Sequence, residues 1–122
     1  MGAVAIELTH GLFAPELKAL PPAAAEWKLV EQTTLPPSDA LKAWRATYDG
    51  VPPITLTLYQ MPWSPGSAWD AIQEWRARPG AMAFAKGRYF GVAESTIADP
   101  ATLRRFLQGA AAGLPPGSET FQ

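Results

Sequence analysis

AMAFAKGRYFGVAES, Ala81 to Ser95, is the stretch on which the reading of the fold turns. Met82, Phe84, Phe90 and Val92 all stand at even positions. Side chains alternate between the two faces of a strand, so antiparallel strands keep these four together only across a loop of odd length. Ala85-Lys86-Gly87 supplies a three-residue loop, with Gly87 where a positive φ is wanted. The expectation is a hairpin that sends Phe90 into the core and turns Tyr89 to the opposite face. KGRYFGV is no RNA-binding signature, because Arg88 and Tyr89 replace the aromatic and small residues that would stack bases.

Upstream, ITLTLY alternates cleanly, with Ile54, Leu56 and Leu58 on one side and Thr55, Thr57 and Tyr59 on the other. The threonines make that second face at least partly wet. WKLVEQT (27–33) reads as a strand. Residues 39–49 fit either a helix facing Leu41, Trp44 and Tyr48 inward or a strand alternating Trp44, Ala46 and Tyr48. The strand is preferred, since Asp49-Gly50 then turns it into a hairpin with ITLTLY.

LYQMPWSPGSAWDAIQEW (58–75) next passes from strand to helix. At helical spacing over 65–77, Ala68, Trp69, Ile72 and Trp75 share a side opposite Asp70, Gln73 and Glu74. Ser64 before Pro65 fits an N-cap, and Ser67 with Asp70 a second one. Asp99-Pro100 starts a last helix with Leu103, Phe106, Leu107 and Ala110 inward and Gly113 as its stop.

The order β-β-β-α-β-β-α implies an α+β fold, an antiparallel sheet of about five strands with two helices packed on one face. The expected layout is an N-terminal extension or short docked helix over 1–25, one α+β domain over 26–114 and a loose tail over 115–122. GAAAG (109–113) permits close approach of a helix to a neighbour but is weak ground for dimerisation.

Composition narrows the function. Ten Lys+Arg against eleven Asp+Glu leave a net charge of −1, too little field for nucleic acid. With no cysteine and a single histidine, His10, thiol nucleophiles and thiolate metal sites drop out, and no EF-hand-like run of aspartates offers an oxygen cage. No apolar run approaches the ~20 residues that span a bilayer. No cofactor and no catalytic constellation is expected. A serine hydrolase would need His10 near Ser64 or Ser67, and a carboxylate enzyme would need Asp70 and Glu74, one turn apart, but Glu74 also precedes Arg78 at the i,i+4 spacing of a solvated helix pair. The N–H groups of residues 66–68 could hold an anion. Trp63, in a Pro-braced turn, is either an exposed contact residue or a lid folded back on the helix.

From Ile54 to about Pro116 the chain resembles a family of uncharacterised, mostly exported bacterial proteins, through ITLTLYQM, AWDAI, FAKGRYFGV and a terminal helix ending in GLPP. The resemblance implies an extracytoplasmic, non-catalytic α+β domain whose signal has been removed, and it supplies no catalytic residues. A cytoplasmic location stays open. The leading expectation is a small binding or interaction domain for another protein or a small ligand. Its candidate residues are Trp63, Ser64, Gly66, Ser67, Thr55, Thr57, Tyr59 and Tyr89, with Arg45 and Thr47 on the same polar sheet face. A subunit of a larger assembly or homo-oligomer is the alternative, and a serine- or carboxylate-based hydrolase the second.

Overall fold

The computed structural model describes residues 20–36, 40–63 and 66–122. The described strands are β1 (Ala23–Ala24), β2 (Trp27–Leu35), β3 (Lys42–Asp49), β4 (Ile54–Gln60), β5 (Ala81–Lys86), β6 (Tyr89–Glu94) and β7 (Glu119–Phe121), with helices α1 (Ala68–Glu74) and α2 (Pro100–Ala112). All pairings are antiparallel, in the order β1-β2-β3-β4-β6-β5-β7. The α+β class and the antiparallel sheet are as expected, and residues 42–49 are strand. The sheet, however, has seven strands and not five. The additions lie at its edges: Ala24 pairs with Trp27, and the expected loose tail closes on β5 through Thr120 opposite Ala85.

The helices do not share a face. α2 packs Leu103, Phe106, Leu107 and Ala110 against Trp44, Tyr48, Ile54, Leu56 and Phe84. α1 packs Ala68 and Ile72 against Ala83, Ala85, Phe90 and Val92 on the other side of the sheet. The cause is the β5–β6 turn. Lys86 pairs with Tyr89, so the loop is the two residues Gly87-Arg88, with φ of 56° at Gly87. An even loop sets even positions of β5 opposite odd positions of β6. Met82 and Phe84 therefore face α2 together with Tyr89, while Phe90 and Val92 face α1. Tyr89 is buried in the core, away from Thr55, Thr57 and Tyr59, contrary to expectation.

Lys86, expected in that loop, is a buried strand residue whose Nζ donates to the carbonyl of Ala111 at 2.7 Å. It thus places a cation at the C-terminal end of α2, where the helix's own last turn has none. α2 begins as read, with Asp99 as N-cap accepting from Thr102 N at 2.7 Å and Pro100 at the first turn. Gly109 is where α2 meets β1: a Cβ there would come within 2.3 Å of Ala25 N. The small residues of 109–113 thus serve packing within the chain. Inside this core the Trp27 indole donates to Pro52 O at 2.6 Å, and the Tyr48 hydroxyl donates to Pro21 O at 2.7 Å. Burial pushes the Tyr48 phenol well above its ordinary range, so it stays a neutral donor.

Candidate functional site

The face that carries α1 is only half covered. Its side chains lie in ladder rows, Thr47–Thr55–Glu94–Ala81, Arg45–Thr57–Val92–Ala83 and Ala43–Tyr59–Phe90–Ala85. The alanines of β5 let α1 settle closely, and its seven residues end at Glu74. β3 and β4 lie beyond the helix, and the step between them is a groove.

One cavity of about 590 Å³ in this groove is bounded by Arg45, Thr57, Tyr59 and Met61 from the sheet side and by Trp75 and Arg78 from the α1 side. A second, of about 660 Å³, shares Arg45 and Glu94 with it and continues past Thr55 to Gly80 and Ile97. Each lies within the range of small-molecule sites, roughly 300–1,000 Å³.

The groove has two chemical ends. At one, Tyr59 and Phe90 stack with ring centroids 5.9 Å apart, beside Met61 and Trp75. At the other, Arg78 donates to Glu94 Oε2 at 2.9 Å, and its guanidinium lies 5.9 Å from the Trp75 ring centre. Arg45 projects from the middle of β3, exposed, with no hydrogen-bond or ion-pair partner among the described residues. The aromatic end can bury an apolar body, and the arginines present N–H donors to an acceptor.

The sequence-predicted residues do not gather at one place. Thr57 and Tyr59 line the first cavity and Thr55 the second, so the polar face read from ITLTLY does form a recess; Thr57 itself is largely buried. Gly66 and Ser67 serve the helix instead. Their N–H groups both donate to Asp70 Oδ2 at 3.2 Å, and Ser67 Oγ accepts from Asp70 N at 3.2 Å, a capping box. The Asp70 carboxylate thus holds the N–H groups of residues 66 and 67 that could otherwise take an anion, and the cap read from Ser67 and Asp70 is the one formed. Ser64 and His10 lie outside the described residues.

Trp63 stands apart from the groove. It is 60% exposed, so it is no lid, and the Arg88 guanidinium lies 4.9 Å from its ring centre. Trp69, expected on the inward stripe of α1, is 54% exposed. α1 uses small Ala68 and Ile72 for contact, and Trp69 falls outside their narrow seam. The two indoles flank a separate notch of about 330 Å³ floored by Ala85 and Thr120. Arg78, expected to pair with Glu74 along the helix, reaches Glu94 because α1 stops before it. Among the described residues there is no group of three His, Cys, Asp or Glu that could hold a metal ion. Nor is any described helix long and apolar enough to cross a membrane.

The site residues that sequence reasoning missed are Trp75, Arg78, Glu94 and Met61. Glu94 left a readable trace, since it continues the even series of Phe90 and Val92 and places a charge at the end of an apolar stripe. Comparison with protein-family models, with curated proteins and with solved structures finds no match to this chain.

Proposed function

We propose that this chain is a small non-catalytic binding domain that takes its ligand in the groove between α1 and strands β3 and β4. The observation that supports it is the half-covered face: two adjoining cavities share Arg45 and Glu94, with an aromatic wall at one end. The candidate nucleophile and base near α1 are engaged in capping, which favours binding over chemistry. The extracytoplasmic setting follows the family resemblance alone.

Backbone amide chemical shifts recorded against a library of small organic molecules test the reading. The expected result is a set of ligands whose shifts cluster at Thr57, Tyr59, Trp75 and Arg78. Shifts confined to other surfaces, or a library without a single binder, would remove it.

A second reading, contact with another protein, has its own support in the half-exposed Trp63 and Trp69. Trp63→Ala should leave the melting temperature within a few degrees while weakening association with the partner. A large stability loss would make Trp63 structural and end this reading.

A further inference from the structure

We propose that the groove selects a ligand with an apolar body and a single anionic head, held at the head by Arg45. This rests on the binding reading above and adds the ligand's chemistry. The charged groups lining the two cavities are Arg45, Arg78 and Glu94, two cations against one anion. Arg78 and Glu94 satisfy one another at 2.9 Å. The positive charge left over is Arg45, at the junction of the two cavities and without a partner among the described residues.

Its neighbours across the ladder are Thr33 and Thr57, neither of which can neutralise it. Glu31, in the adjoining row on β2, lines neither cavity. A guanidinium presents planar paired donors that match a carboxylate or a similar oxyanion. Arg78 lines the same cavity, its guanidinium already engaged by Glu94. Apart from Thr57 the uncharged lining is apolar or aromatic, with Tyr59, Phe90, Val92, Met61 and Trp75 its largest members, so the body that accompanies the head is aliphatic or aromatic. A doubly charged or sugar-like ligand would leave polar groups against this wall without partners.

The test compares decanoate with 1-decanol, matched in chain length and differing in the head, binding to the full chain. Affinity is read from tryptophan fluorescence, and location from amide shifts at Thr57 and Trp75. Decanoate should bind about tenfold or more tightly than decanol, the scale of one hydrogen bond to a charged group. Arg45→Gln should abolish the advantage of decanoate over decanol, Arg45→Lys should restore part of it, and high salt should weaken decanoate alone. Unchanged amide spectra away from position 45 verify that the variants are folded.

If both probes bind in the groove equally well, or decanoate ignores Arg45→Gln, the anionic head is wrong and the binding groove stands. If neither perturbs the groove, both proposals fall.

Discussion

At the scale of single residues, two positions carry sharp expectations. Hydrogen bonds from Thr102 to the Asp99 carboxylate hold it below the ordinary carboxylate range. A carboxylate depressed in the folded state contributes stability that is complete above its unfolded value, near pH 4, and fades as pH falls through the lower folded value. Asp99→Asn keeps a capping acceptor and loses the titration. In urea unfolding the natural chain should therefore be the more stable of the two at neutral pH, with the difference closing in acid. A gap independent of pH would show that the charge is irrelevant to the cap. Ala25 sits at φ of 53° in the tight turn between β1 and β2, a left-handed backbone that a Cβ disfavours by roughly 1–2 kcal/mol. Its side chain is exposed, so Ala25→Gly relieves strain at little packing cost. After allowance for the freer unfolded chain, the gain should be about 0.5 kcal/mol in denaturant unfolding. Destabilisation would mean that the Ala25 methyl has a contact worth more than the strain.

At the scale of elements, α2 is held at its far end by a residue of β5. Lys86 Nζ reaches Ala111 O at 2.7 Å and stands 3.4 Å from the Glu119 carboxylate. Lys86→Met keeps the stem and removes the cation, so the Ala111 carbonyl loses its charged donor and keeps only backbone N–H groups, that of Leu114 at 3.1 Å among them. The expected cost is about 2 kcal/mol, with faster amide exchange concentrated in residues 110–114. Uniform exchange through the helix would place the loss elsewhere. The same residue shows what the sequence could and could not convey. Most strands and both helices were legible, because ITLTLY alternates and Asp99-Pro100 and Ser67 with Asp70 are local capping chemistry. Facing was not legible, because it depends on whether the loop after Phe84 has two residues or three. Both readings put Gly87 in the turn, and only the pairing of Lys86 with Tyr89 decides. The alanines at 81, 83 and 85 form the floor that lets α1 sit on the second face. The groove was half legible for the same reason. Thr55, Thr57 and Tyr59 mark its floor within one strand, whereas Arg45, Trp75, Arg78 and Glu94 converge only once α1 has chosen its side.

At the scale of the whole molecule, the sheet ends on one side in β7, three residues long. Short edge strands limit pairing with other chains, since few N–H and C=O groups face outward. Behind β7 lies β5, whose edge is engaged by it: Ala83 N donates to Gln122 O at 3.1 Å, and Gln122 N to Ala83 O at 2.8 Å. Phe121 stacks on Phe84 with centroids 6.0 Å apart, and Arg104 of α2 lies 5.4 Å from the Phe121 ring centre. Ending the chain at Ser118 would strip that edge and the ring that shields Phe84. The truncated chain is expected to unfold at lower denaturant and to self-associate in a concentration-dependent way by sedimentation, relative to the full chain. Phe121→Ala separates the two contributions, because it keeps the strand and removes only the ring. It should lower stability without promoting association. If the truncated chain matches the full one in both measurements, β7 is dispensable. If Phe121→Ala associates as strongly as the truncation, the exposed Phe84 face, and not the open backbone edge, is what recruits another chain.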